Sequence, residues 1–175
     1  MGLQLIFVVE TNKECKSDWI YIKETIDRFF TIDSTQIKLS PVYLDGKWKY
    51  RKKEKEIRSL VSQYKAGSKH NESIVLFCVD CDEYDCKQDD MNFLKDVQAY
   101  CNEKGYKFVW FCRDIEHVYL KERIEAHQKK SKSVSFMTQK KIRLINVNDL
   151  MADTFRDGKS NLINVLSNHL SRKTD

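Results

Sequence analysis

Three acidic residues stand at the ends of two apolar runs, and their carboxylates are well suited to bind a cation. Glu10 follows the apolar run Leu3–Val9, and Asp80 follows the run at residues 74–79. Asp82 comes two residues later, so on an extended segment its side chain would project to the same side as that of Asp80. If the two runs are neighbouring strands, roughly 5 Å apart, the three carboxylates converge on one small volume.

Three carboxylates in one pocket need a positive charge to stabilise them. Mg²⁺ and Mn²⁺ are hard cations that take oxygen ligands, and Mg²⁺ commonly uses one or two carboxylates and keeps several waters. We therefore predict a metal site formed by Glu10, Asp80 and Asp82. Acidic residues after a strand also act as turn formers and helix caps, and Glu83 and Asp85 fit that interpretation.

Other chemistries are less well supported by the spacing. The pair Cys78 and Cys81 has zinc-ligand spacing, but no second close pair accompanies it, so core thiols are the favoured interpretation. The motif at residues 80–82 is similar to that of haloacid-dehalogenase-type phosphatases, where it ends the first strand rather than the third. A Cys–His nucleophile pair stays open without a supporting motif, and the scattered glycines form neither a phosphate loop nor a dinucleotide fingerprint.

The composition is typical of a single soluble α/β domain spanning residues 1–175. Charged residues make up 33% of the 175 residues, and no apolar run approaches the ~20 residues that span a bilayer. The first residues lack the basic leader of a secretion signal, and the six cysteines do not form a dense disulfide pattern. We therefore expect a cytoplasmic protein with reduced thiols and no membrane partner.

The positive charge is clustered in two stretches, which favours a polyanionic partner such as DNA or RNA. The first stretch is also compatible with the solvated face of a helix. Its cations are Lys47, Lys49, Arg51, Lys52, Lys53, Lys55 and Arg58. The second stretch contains Lys121, Arg123, Lys129, Lys130, Lys132, Lys140, Lys141 and Arg143.

Apolar runs alternate with segments of helical period, which predicts a mostly parallel sheet of four to five strands between layers of helices. Pro41 in the second run suggests an edge strand or a bulge. Ser17 or Asp18 is predicted to cap the first helix. Predicted strands cover residues 3–9, 37–44, 74–79, 108–112 and 142–147; predicted helices have apolar stripes within 19–30, 57–64, 93–101 and 162–170, with a short helix from Ile115 and a loop at 128–141.

The order of these residues resembles the Toprim domain, in which a glutamate ends the first strand and Asp-x-Asp ends a central strand. Toprim domains occur in topoisomerases, primases and OLD-type nucleases. The resemblance is closer to the RloB-like branch, which is associated with bacterial phage defence and often encoded beside an ATPase. Glu10 to Glu14, followed by Trp19 and Tyr21, stands where that branch has its glutamate motif, and Glu116 matches a glutamate after the fourth strand.

The resemblance covers about residues 1–125 and implies a three-layer α/β/α core, with a basic loop, an extra strand and a helix at 126–175. It implies a nuclease in which Asp80 and Asp82 hold Mg²⁺ or Mn²⁺, Glu10 completes the metal sphere or acts as general acid or base, and Glu116, with Glu14, supports a second metal. The candidate phosphate-backbone ligands are Lys13, Arg113, Lys121, Arg123, Lys129 and Lys130. The alternative is a non-catalytic regulatory module that binds metal or nucleic acid and works with an ATPase.

Overall fold

The computed structural model describes residues 2–174, and a parallel sheet of four strands lies at the centre of this part of the chain. The strands are β1 (Leu3–Val9), β2 (Ile37–Tyr43), β3 (Glu72–Asp80) and β4 (Lys107–Phe111), in the order β2-β1-β3-β4. The two central strands are almost entirely buried because helices cover both faces of the sheet, which explains their continuous apolar runs. The predicted α/β class and three-layer arrangement are confirmed.

Six α-helices and four short 3-10 helices connect and cover the strands within residues 2–174. The α-helices are α1 (Ser17–Phe29), α2 (Glu54–Gly67), α3 (Gln88–Lys104), α4 (Ile115–Leu120), α5 (Lys129–Thr138) and α6 (Leu162–Ser167). The 3-10 helices span Lys47–Lys53, Ala126–Gln128, Lys141–Leu144 and Val147–Leu150. None of the helices in these residues is long and apolar enough to cross a bilayer.

Alternate side chains of β1 enter two separate cores, one on each face of the sheet. Leu5 and Phe7 pack with residues of α1, α4, α5 and α6. Ile6 and Val8 pack instead with residues of α2, α3 and the 3-10 helix Lys47–Lys53. The period of two in side-chain direction along a strand therefore assigns each helix to a layer.

The two edges of the sheet are closed to further strands in different ways. Leu44, just after β2, donates its N–H to the carbonyl of Val9 on β1. Because successive backbone N–H groups along a strand point to opposite sides, the imide nitrogen of Pro41 points away from β1 and the sheet loses no hydrogen bond there. On β4, the Asn161 side chain accepts from the N–H of Trp110 at 2.9 Å and donates to the carbonyl of Phe108 at 3.0 Å. The predicted edge position of Pro41 is confirmed.

The predictions for residues 128–147 are wrong. The predicted basic loop is largely helix α5, and the predicted fifth strand is replaced by the 3-10 helix Lys141–Leu144 and the turn after it. A strand would place Ile142 and Leu144 on one face, yet Ile142 is 6% exposed and Leu144 is 83% exposed. The edge of β4 is already covered by Asn161, so this segment has no strand to join.

The predicted cap of the first helix is also wrong. Lys16 precedes the helix in a left-handed conformation and provides no side-chain cap. The Asp18 carboxylate accepts a hydrogen bond from the Thr11 N–H at 3.0 Å and another from the Ser17 hydroxyl at 3.2 Å. Asp18 therefore joins the start of α1 to the loop that leaves β1, beside Glu10.

Candidate functional site

The candidate site lies where the order of the strands reverses, at the carboxyl ends of β1 and β3. The chain passes from β1 to β2 on one side and from β3 to β4 on the other, and β1 and β3 pair in parallel. Loops diverge at such a point and leave a crevice, which is where open α/β sheets bind their ligands. Glu10 leaves β1 there, and Asp80 is the last residue of β3.

Glu10 and Asp80 are brought together, as the sequence predicts. Glu10 Oε1 accepts a hydrogen bond from the backbone N–H of Asp80 at 2.9 Å. Asp80 Oδ1 in turn accepts from the backbone N–H of Ile115 at 2.9 Å, so the carboxylate lies at the first residue of α4. The second oxygen of each carboxylate is not used by these two bonds.

Asp82 is turned away from Asp80, although the extended spacing predicts a common direction. The strand ends at Asp80, and Asp82 has a left-handed φ of 48°. Its carboxylate is bonded by the ammonium of Lys47, which also reaches Asp90 Oδ1 at 2.7 Å. Ile115 belongs to one core and Lys47 lies over Phe93 of the other, so the two aspartates face opposite helical layers.

A larger group of charges surrounds Glu10 and Asp80, and we call it the interior cluster: Glu10, Asp18, Asp80, Glu116 and Lys129. Glu116 is completely buried, and its Oε2 accepts from the ammonium of Lys129 at 2.8 Å. Within residues 2–174, neither Glu116 Oε1 nor the buried hydroxyl of Tyr21 has a hydrogen-bond partner. Lys129 therefore provides the positive charge for the cluster from the first residue of α5.

In the interior cluster, burial raises the pKa values of the carboxyl groups, and the charge of Lys129 acts to lower those of Asp80, Asp18 and Glu116. Burial, together with the charges of Asp18 and Asp82, raises the pKa of Glu10 to about 8, although the hydrogen bond from Asp80 and the charge of Lys47 act to lower it. Burial likewise raises the pKa values of Asp80, Asp18 and Glu116. Burial acts to lower the pKa of Lys129, but Asp80, Glu116 and Asp18 outweigh it and raise that pKa, so the ammonium stays charged.

The donor set fits a hard cation held by two carboxylates and water better than one held by three carboxylates. Among residues 2–174 no group of three or more histidine, cysteine or acidic side chains is close enough together to hold an ion. Glu10 and Asp80 each have a second carboxylate oxygen, and Mg²⁺ needs only one or two carboxylates when waters complete its shell. A glutamate whose pKa lies near neutrality is also suited to proton transfer.

Of the six candidate phosphate ligands, two line one pocket with Asp82, namely Arg113 and Arg123. Arg113 is held by Asp85 at 2.8 Å and by Asp157 at 3.2 Å. Lys121 pairs with Asp149 at 2.7 Å, and Lys129 belongs to the interior cluster. The exposed members are Lys13, Lys121, Arg123 and Lys130, and Glu14, the proposed helper of a second metal, is also exposed.

The cysteines lie mainly in the core, as expected for thiols that behave as small apolar groups. Cys78, Cys81, Cys101 and Cys112 are buried and unpaired, whereas Cys86 is exposed. The sulfurs of Cys81 and Cys112 are 3.8 Å apart at the ends of β3 and β4. Since no cluster of three metal-ligating side chains exists in residues 2–174, the zinc alternative gains no support.

Sequence reasoning missed three members of the site. The sequence predicts Asp18 as a helix cap, and its position eight residues after Glu10 is the signal that could have placed it in the site. Lys129 was assigned to phosphate binding, and nothing local shows that its ammonium reaches Glu116. Lys47 lies in the first basic stretch, but its partners Asp82 and Asp90 are far from it in sequence.

The comparisons with known proteins identify no family for this chain, so its function has to be inferred from the site. No protein-family model, no curated protein and no solved structure matches this chain.

Proposed function

We propose that this chain is a Toprim-like, metal-dependent nuclease domain that cleaves phosphodiester bonds of nucleic acid with Mg²⁺ or Mn²⁺, of the kind used in phage defence. The observation that carries the proposal is the contact of Glu10 with the end of β3, at the switch point between β1 and β3. Two carboxylates that are desolvated together favour a bound cation when both are ionised, and a phosphodiester would add further negative charge for that cation to balance.

Asp80 and Glu10 are the residues that would hold the metal, and a bound Mg²⁺ or Mn²⁺ would polarise the phosphodiester and stabilise the leaving oxygen. The hydrogen bond from Ile115 fixes the Asp80 carboxylate, and that from Asp80 fixes Glu10. Glu10, with its pKa near 8, can hold or release a proton at the carboxylate oxygen that is not bonded to the Asp80 N–H. Asp82 contributes negative charge at the rim and positions Lys47.

The experiment that tests the proposal is incubation of the protein with plasmid, single-stranded DNA and transfer RNA in Mg²⁺, Mn²⁺ or EDTA. We expect cleavage that needs metal and that falls at least ~100-fold in Asp80→Asn and in Glu10→Gln, because each variant removes a charged metal ligand. Asp89→Asn is the matched control, since Asp89 is an exposed acid in the first turn of α3. Cleavage that persists in EDTA, or in both variants, would overturn the proposal.

The second candidate is a non-catalytic regulatory module that binds metal or nucleic acid and serves a partner ATPase. One observation favours it: Lys129 supplies the interior cluster with a positive charge of its own. This candidate predicts no cleavage with any metal. In its metal-free form it also predicts that the melting temperature does not rise with Mn²⁺, and such a rise in the wild-type protein but not in Asp80→Asn would exclude that form.

A further inference from the structure

The rim of the candidate site presents an exposed aromatic side chain that no packing requirement explains. Trp48 is 62% exposed, whereas Trp110 is 5% exposed and Trp19 is half-buried against Phe7. Large aromatic side chains are costly to leave in water, because they remove much apolar surface when buried. An indole left open at this place is therefore available to a ligand that covers it.

Trp48 is held in place rather than free to move over the surface. Its ring packs edge-on against Phe93 of α3 with ring centroids 4.9 Å apart. The ammonium of Lys47 lies 5.5 Å from the centre of the Trp48 ring and is itself fixed by Asp82 and Asp90. A fixed indole loses little conformational freedom when a ligand stacks on it, which favours binding.

The backbone ties the segment just before Trp48 to the loop that carries Glu10. Successive N–H groups of Leu44, Asp45 and Gly46 donate to the carbonyls of Val9, Thr11 and Glu10, with Gly46 at 3.0 Å from the Glu10 oxygen. The 3-10 helix Lys47–Lys53 begins at the next residue. Trp48 is thus two residues away from a chain segment that is hydrogen-bonded to the candidate metal ligand.

A basic groove continues from the same 3-10 helix. Four lysines line it, Lys49, Lys52, Lys53 and Lys55, together with two acids, Asp45 and Glu56, and with Leu44, Ser59, Leu60 and Gln63. Lys49 is paired with Asp45 at 2.7 Å and Lys53 with Glu56 at 2.9 Å. Lys52 and Lys55 are exposed and have no carboxylate partner in residues 2–174, so their charges are available to a polyanion.

We propose that Trp48 and this lysine groove bind single-stranded nucleic acid, with one unpaired base stacked on the indole and the phosphates along Lys52 and Lys55. A paired base in a duplex has no free face for the indole, whereas a single strand offers one on every base. A basic groove combined with an exposed aromatic platform is how proteins bind single strands without sequence preference. This inference deepens the proposed nuclease by naming the form of its substrate.

The test is binding measured in EDTA, where no metal-dependent cleavage occurs, so that its outcome is independent of catalysis. Oligonucleotides of about 15 residues, as single-stranded DNA, single-stranded RNA and duplex DNA, are labelled and titrated by fluorescence anisotropy. Polyglutamate serves as a polyanion without bases. We expect single strands to bind at least ~10-fold more tightly than duplex or polyglutamate at the same salt concentration, and to quench tryptophan emission.

Matched variants separate stacking from charge. Trp48→Ala should weaken single-strand binding about 5- to 150-fold, corresponding to the ~1–3 kcal/mol of one base–aromatic stack, and Trp48→Phe should restore much of it. Lys52→Ser with Lys55→Ser should weaken every polyanion alike and lower the salt dependence. Trp19→Phe is the emission control, and equal melting temperatures show that the Phe93 contact tolerates each change.

Two results would overturn the proposal. One is unchanged single-strand affinity in Trp48→Ala, and the other is binding of duplex or polyglutamate as tight as that of single strands without quenching. Absence of cleavage alongside Trp48-dependent binding would reject the nuclease while keeping this surface. Cleavage of duplex by a protein whose Trp48→Ala variant is fully active would keep the nuclease and reject the surface.

Discussion

Two regions of the molecule each pair carboxylates with one lysine, in different surroundings. One is the interior cluster, and the other is the group of Lys47, Asp82 and Asp90, which we call the rim. In each, one lysine pairs with acidic side chains near the carboxyl ends of the strands: Lys129 binds Glu116 of α4, and Lys47 binds both Asp82 and Asp90. Glu116 is completely buried, whereas the Asp82 side chain is 39% exposed. Water can replace a lost partner at the rim but not in the interior. The Lys129–Glu116 pair therefore serves stability, whereas the Lys47–Asp82 pair is free to serve binding.

The largest expected effect comes from removing the interior cation. Lys129→Met should lower the free energy of unfolding by roughly 2–4 kcal/mol, because it leaves the buried Glu116 carboxylate without a partner. Urea unfolding at neutral pH measures the change. Lys130→Met, at an exposed neighbouring position, should change stability by less than about 0.5 kcal/mol. Equal stability of the two variants would show that Glu116 is neutral in the folded protein.

The pH dependence of stability sharpens the comparison, because the interior carboxyls have raised pKa values. The pKa of Glu10 is raised to about 8, and that of Asp80 is raised as well. The folded state therefore holds protons that the unfolded state releases above about pH 4.5. Their favourable contribution is complete below the ordinary pKa and is lost as the pH rises toward 8. Stability should fall between about pH 5 and pH 8, by at most about 1.4 kcal/mol per pH unit for each group.

Glu10→Gln tests the origin of that slope. The variant cannot titrate at this position, so its stability should change less between about pH 5 and pH 8 than that of the wild-type protein. Acids with lowered pKa values, such as Asp149, act at lower pH and leave this range unaffected. Urea midpoints at several pH values provide the measurement. A wild-type stability that increases across the range would contradict the raised pKa of Glu10.

The smallest expected effect belongs to the rim. Lys47→Met should reduce stability by about 1 kcal/mol, since Asp82 is partly solvated and Asp90 keeps its bond from the Glu83 N–H at 3.3 Å. Lys49→Met, which removes an exposed pair with Asp45, is the control and should change stability by less than about 0.5 kcal/mol. Thermal unfolding of both variants measures the two changes in stability. A loss at Lys47 as large as that at Lys129 would remove the distinction between the two regions.

The sequence predicts the sheet and half of the site because both depend on local patterns. Apolar runs ending in Glu10 and Asp80 mark buried parallel strands, and parallel strands bring their carboxyl ends to one edge. The direction of Asp82 depends on a left-handed turn that alternation along a strand does not anticipate. The role of Lys129 depends on how α5 packs against α1, which is a long-range contact without a local signal.

The errors in the last third of the chain have one physical cause. Residues 128–141 are rich in lysine and contain only three apolar residues, so their period is weak and both helix and loop fit the pattern. Residues 142–147 contain four apolar residues of six, and such a short apolar run fits a strand as well as a 3-10 turn. Phe136 and Ile142 nevertheless belong to the core beside α1. Tertiary packing therefore decides the structure of this segment, and local propensity does not.

The position of Lys129 also sets how short this domain can be made. The sheet, α1 and α4 are complete before residue 126, so a protein engineer would be tempted to stop there. Such a truncation would remove the only ammonium bonded to Glu116 in residues 2–174, together with Phe136 and the Asn161 side chain that covers β4. The minimal stable unit is thus defined by an ion pair at its centre, and it extends well past the last strand.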